Sequence, residues 1–258
     1  MKYPQNKLLQ IIVFSTIILF LPTLVFAQKP QLTQKEFNRW EKYTQKNNTY
    51  FSAYWGHGSY SMDGMRQLQA KMTNEIGIDA RINSDFPPYW LYGIALARKY
   101  DDARFGINAE NMSTGARSSI SDYSGLFYSD IICKGTKFGV FLEKDKWQFC
   151  LAQSKFIAGY RLEAGALYNN IYIHNYALAY DVPAATMNSK LTLETATYYI
   201  EPALFASYYV SKQTYLQLSA GLMLNIPLEV YFRTNTSNNT YDVSWNGYRI
   251  RLAIVQQF

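Results

Sequence analysis

The side chains best suited to acid–base, nucleophilic or metal chemistry are few: His57, His174, Cys133 and Cys150, set among carboxylates and guanidinium groups spread along the chain. His174 lies in IYIHNYALAY, followed by Asn175 and Tyr176 with no serine beside it. A catalytic set is defined in space, so a partner from a neighbouring strand stays open. An isolated histidine on an aromatic strand otherwise serves packing or an interface. His57, in WGHGSY, reads as a packing or turn residue. No Cys/His spacing matches a metal site, and no motif implies a cofactor.

The charges are patterned. Asp79 and Arg81 alternate with Ile78, Ala80 and Ile82, and Arg104 and Glu110 oppose Phe105, Ile107 and Ala109. Arg161 and Glu163 oppose Tyr160, Leu162 and Ala164, while Arg249 and Arg251 oppose Tyr248, Ile250, Leu252 and Ile254. Glu201, in YIEPALF, joins the same set. A two-residue period puts successive side chains on opposite faces, so each segment is a strand with one apolar and one polar face. Such strands suit a wall between hydrocarbon and water. In a narrow closed ring these nine charges face inward, where opposite charges must pair because an unpaired buried charge is costly. A structural ion-pair core is the favoured reading. A narrow or gated solute path lined by the same residues is the other.

The elements that position these residues follow from the pattern. Thr33 and Glu36 fit a capping box for a short helix over 34–45. A strand is expected over 50–61, and a short helix after Asp63 in MRQLQAKM. From Asn74 onward ten strands are expected. Asp101-Asp102, Lys134-Gly135, Asn169-Asn170 and Ser211-Lys212-Gln213 are read as short turns, alternating with longer polar connections near 84–88, 114–119, 144–152, 181–196 and 227–246. Outer-membrane barrels have short periplasmic turns and longer outside loops. The expected fold is therefore all-β: a closed antiparallel transmembrane β-barrel of about 10 strands (10–12). Residues 28–73 form a short N-terminal helical and polar segment, read as a plug or an extra strand, and 74–258 form the barrel. This register places Cys133 at the periplasmic rim and Cys150 near an outside loop. The apolar band of roughly 25 Å between those ends rules out a disulfide. FRTNTSNNTYDVSWN (232–246) is expected to be an exposed loop.

Lys2 and Lys7 precede an apolar stretch, Leu8 to Phe26, closed by Val25-Phe26-Ala27. This fits a secretory signal peptide over residues 1–27, cleaved before Gln28. Charged residues make up 17% of the chain and aromatics another 17%, with 23 tyrosines, a load suited to girdles at two membrane interfaces. The net charge of +6 is scattered, with no basic cluster of the kind nucleic acid needs. Outer-membrane lipid is the partner this balance suits.

Four segments, YWGHGSYSMDGMRQLQ (54–69), STGARSSISDYSG (113–125), YIEPALFASYYVSKQTYLQLSAG (199–221) and WNGYRIRLAIVQQF (245–258), resemble uncharacterised outer-membrane β-barrel proteins of Gram-negative bacteria. The resemblance implies a fold and a compartment, with no catalytic residue. It further implies that Phe258, at the end of the final strand, is part of the signal read by the barrel-assembly machinery. Small barrel enzymes that cut lipid A or phospholipid have a similar architecture and use a His–Ser pair beside a carboxylate. By that likeness His174 is the candidate for a lipid hydrolase or acyl-modifying enzyme. The leading expectation is a non-enzymatic barrel that is structural, a scaffold, or a narrow passage.

Overall fold

The computed structural model describes residues 49–75, 81–151, 154–181, 186–211, 213–226, 229–233 and 238–258. The leader at 1–27, the helix expected over 34–45 and Asp79 lie outside the described residues. The elements are β1 (Thr49–Gly58), α1 (Asp63–Glu75), β2 (Arg81–Asp85), β3 (Tyr89–Tyr100), β4 (Ala103–Ser121) and β5 (Gly125–Leu151), then β6 (Ser154–Ala179), β7 (Met187–Tyr209), β8 (Thr214–Ile226), β9 (Glu229–Arg233), β10 (Asn238–Asp242) and β11 (Gly247–Gln257).

Antiparallel pairing runs β1–β3–β4–β5–β6–β7–β8–β11 and returns from β11 to β1. Eight strands thus close into a ring, while Met187–Thr197 of β7 rises above β8 and, among the described residues, pairs with β6 alone. β2 lies outside the ring against the far end of β4, and β9 and β10 form a separate hairpin.

The ring has eight strands where ten were expected, and the difference has a local cause. Lys134-Gly135 and Asn169-Asn170 are not turns. They lie inside β5 and β6 and face each other across the ladder, Lys134 opposite Asn170 and Gly135 opposite Asn169. Residues 114–119 belong to β4, and 144–151 continue β5, whose last residue, Leu151, pairs with Ser154 at the start of β6. The β5–β6 connection, expected among the longer outside ones, therefore falls on the same end of the barrel as Asp101-Asp102. β1 is part of the ring itself, so the wall begins at Thr49 rather than at residue 74. Of the four expected short turns, two are turns. Asp101 adopts φ +53°, a left-handed conformation that Asp tolerates in tight hairpins. Ser211 Oγ accepts hydrogen bonds from the Gln213 and Thr214 amides.

The wall is uneven. β5 and β6 have 27 and 26 residues, whereas β1 and β11 have 10 and 11. About 9–11 residues suffice for one membrane crossing, so β4–β7 stand far above their neighbours. Outside the ring, the lower part of the wall exposes Ile94, Leu96, Ile107, Phe138, Val140, Leu162, Ile200, Leu204, Leu218 and Leu222. Aromatics flank that band: Phe51, Tyr100, Phe105, Tyr160 and Tyr208 near the short-turn end, and Trp55, Trp90, Tyr92, Tyr168, Tyr198 and Tyr248 at its other margin.

Candidate functional site in the barrel lumen

Inward positions follow from the same two-residue period, and they form layers. Next to the short-turn end, Tyr50, Tyr209 and Tyr215 pack together, with ring centroids of Tyr209 and Tyr215 4.7 Å apart. Above them lies one connected ionic network. Arg104 pairs with Glu143 at 3.3 Å and Asp145 at 2.8 Å, and Arg161 bridges Glu143 at 3.1 Å to Glu163 at 2.8 Å. Lys137 Nζ then meets three carboxylates, Glu163 at 2.7 Å, Glu201 at 3.0 Å and Glu110 at 3.4 Å. Arg251 closes the chain by binding Glu110 at 2.6 Å and Glu201 through both Nη atoms.

Neutral side chains complete the network. Glu163 Oε1 also accepts from Asn108 Nδ2 and the Tyr199 hydroxyl, each at 2.8 Å. Aromatic faces cover the cations: Phe141 lies 3.8 Å from Arg161, and Tyr199 4.8 Å from Lys137. Glycines make room for these rings. A Cβ on Gly139 would sit 2.0 Å from the Tyr199 hydroxyl oxygen. Buried charges tolerate desolvation only when paired and hydrogen-bonded to this degree.

The next layer changes character. Among the described residues Arg249 forms no ion pair with a carboxylate. It donates to the Ser59 and Trp245 carbonyls, touches the Met223 and Met112 sulfurs, and stacks on Tyr60 at 4.8 Å. Trp245 arrives from the β10–β11 connection and is wholly buried. Its indole Nε1 donates to Asn169 Oδ1 at 2.7 Å, and its ring lies 3.1 Å from where a Cβ on Gly135 would stand. Gly135 and Asn169, which resemble turn residues, are thus the seat of this indole. The segment 232–246, expected to be an exposed loop, instead buries Tyr241, Val243 and Trp245. Over this layer Met62 and, from α1, Met65 and Leu68 cover the mouth, in one buried cluster with Phe86, Leu91, Ile131 and Ile171. Arg66 ties α1 to Asp85 at 2.8 Å, and Gln69 Nε2 donates to Ser118 Oγ.

The structure places seven of the nine expected lumen charges inside: Arg104, Glu110, Arg161, Glu163, Glu201, Arg249 and Arg251. Arg81 is a correction. It is exposed on β2, opposite Ser119, because that strand lies against the upper part of β4 rather than in the ring. Lys137, Glu143 and Asp145 were missing from the expected set. Lys137 and Glu143 do oppose Phe138, Val140 and Leu142 in the sequence, so alternation carried their signal.

His174 lies on the outer face of β6, with Nε2 3.1 Å from Asn188 Oδ1 and its ring edge-on to Tyr128. His57 packs on the outside between Trp90 and Tyr248. Cys133 is a free, buried thiol. It lies on the same strand as Cys150, in the half away from the short-turn end, so the expected placement of the two cysteines is reversed. Among the described residues no cluster of His, Cys, Asp and Glu is arranged to hold a metal ion.

Fold and lumen together define a closed, eight-stranded antiparallel β-barrel with a filled, ion-paired interior. No family model matches the chain, and no curated protein matches it. Among solved structures it is similar to the N-terminal β-barrel domain of Pseudomonas aeruginosa OprF, at 11% identity over 82% of this chain and 98% of that one, with a TM-score of 0.35. Neisserial surface protein A (NspA) is similar at 13% identity, covering 81% and 97%, with a TM-score of 0.34. Ail, the attachment invasion locus protein of Yersinia pestis, is similar at 7%, covering 81% and 98%, with a TM-score of 0.32.

Proposed function

We propose that this protein is a non-enzymatic integral barrel of the outer membrane, sealed to solutes, which works through its outer surfaces as an anchor or scaffold. The apolar band between two aromatic margins supports residence in a bilayer. The end where β3 passes to β4, β5 to β6 and β7 to β8 faces the periplasm in this reading, and the tall wall of β4–β7 stands outside. β11, ending at exposed Phe258, completes the ring against β1 and is the strand offered to the barrel-assembly machinery.

One observation carries the sealed reading. Side chains lining a water-filled passage keep accessible surface, yet Glu110, Lys137, Arg249, Met223 and Trp245 have none. A narrow solute path would need the ionic layer and the Trp245 layer to open together. A lipid hydrolase would need a nucleophile at His174, whose hydrogen bond goes to the Asn188 amide. Purified protein in a planar bilayer should give no discrete conductance at moderate voltage. Regular current steps would discard the sealed reading and restore the solute path.

A further inference from the structure

The outer face of β4–β7 changes composition along its length. Between the upper pair, Tyr168 and Tyr198, and the lower aromatics Phe105, Tyr160 and Tyr208 it is Phe, Leu, Ile, Val, Ala and Pro202. Above the upper pair it carries tyrosines among charged, hydroxyl and amide groups, with Ile132 exposed between Lys134 and Asp130. Arg117, Asp130, His174 and Lys190 are direct neighbours across the four strands, one row. Next to that row Tyr128 and Tyr176 stack at 5.2 Å with their planes 22° apart. Arg117 grips Asp130 through Nε at 2.5 Å and Nη2 at 2.6 Å, and its guanidinium lies 5.7 Å from the Tyr128 ring. His174 abuts Tyr128 edge-on and is held by Asn188. On the opposite face of the sheet α1 packs on β4 and β5, with Gln69 Nε2 donating to Ser118 Oγ.

Height decides what can reach it. Eight residues separate Tyr168, in the aromatic margin, from Tyr176; at about 3.3 Å per residue and a tilt of about 40°, the stacked pair stands ~20 Å above the hydrocarbon. A phospholipid headgroup layer is only about 5–8 Å thick. A lipid of the same leaflet touches this face only if it carries an extended polar headgroup. A sugar ring matches the chemistry offered: its C–H face stacks on an aromatic ring, and its hydroxyl rim needs donors and acceptors side by side. Arg117 donates, Asp130 accepts, and His174 and Asn188 can do either.

We infer that the outer face of β4–β7 around Tyr128 and Tyr176 is a saccharide-binding platform for the headgroup sugars of glycolipids in the surrounding leaflet. The inference rests on the membrane placement proposed above. Below the platform, Lys134 on its Tyr172 ring and Thr136 sit at the level where a glycolipid changes from acyl chain to headgroup. The sheet therefore follows one such molecule from hydrocarbon to sugar.

Hydroxyl-radical footprinting of the intact protein in lipid discs tests this. Three discs are compared: phosphatidylcholine alone, phosphatidylcholine with lipopolysaccharide bearing its core oligosaccharide, and the same with lipid A stripped of core sugars. Oxidation of Tyr128 and Tyr176 should slow about fivefold only with the complete glycolipid, in line with ring-stacking energies. Tyr123, at the hairpin tip, should stay unchanged as a control. Equal rates in all discs, or equal protection by stripped lipid A, would overturn the platform. The belt residue Leu162 separates the two readings: if it is unprotected in every disc, the membrane placement itself fails. Tyr128→Thr/Tyr176→Thr protein that keeps its folded electrophoretic mobility should retain severalfold less glycolipid through detergent washing. Unchanged retention would also count against the platform.

Discussion

The lumen has two halves built on opposite principles. The lower half, from Arg104 to Arg251, is held by charge: every carboxylate meets a cation, and the strands of the wall supply all the parts. The upper half, around Trp245 and α1, is held by shape. There one indole from a distant connection fills the space left by Gly135, and a short helix lays its methionines over the opening. An ionic interior tolerates little removal of charge but accepts paired changes. A shape-filled interior is sensitive to lost volume. The contrast shows how a narrow barrel is filled by two independent means.

Substitutions can break or sharpen this contrast. The largest effect is expected for Trp245→Ala, which empties the upper half and removes the hydrogen bond to Asn169. Urea unfolding in lipid vesicles should show a loss of about 5 kcal/mol. A loss below about 1 kcal/mol would mean that the indole is not a structural filler. Lys137→Met in the lower half leaves Glu110, Glu163 and Glu201 converging on no ammonium. It should lose about 3–5 kcal/mol, and Lys137→Met/Glu163→Gln should recover part of this by removing charge of both signs. If the double variant is less stable than the single one, the lower half depends on packing more than on charge. Gly135→Ala has the smallest effect. Its Cβ meets Leu167, Met112 and Trp245 at 3.1 Å, so a loss of about 1–3 kcal/mol is expected by the same unfolding measurement. In a Trp245→Ala background that penalty should shrink, since the indole is one of the three atoms' owners.

The lower half was largely legible in the sequence. Alternation is a property of neighbouring residues, and it put Arg104, Glu110, Arg161, Glu163, Glu201, Arg249 and Arg251 on the inner face without knowledge of the ring. The same rule pointed to Lys137 and Glu143. Arg81 misled because it shares the period while lying on a strand outside the ring. Which carboxylate meets which cation was not legible, since Arg251 pairs with Glu201 and Glu110 only after closure brings β11 beside β1 and across from β4 and β7.

Strand direction, facing and the sites of two true turns are thus settled by the chain itself, because a two-residue period and turn chemistry act over a few residues. The number of strands and the sealing of the mouth are not. Lys134-Gly135 and Asn169-Asn170 have the composition of turns, yet both stay extended because they pair with each other and with β4 and β7, and Trp245, 76 residues from Asn169, packs against their inner face. Only folding brings that indole to its seat, and no local preference encodes a cavity whose filler comes from so far along the polypeptide.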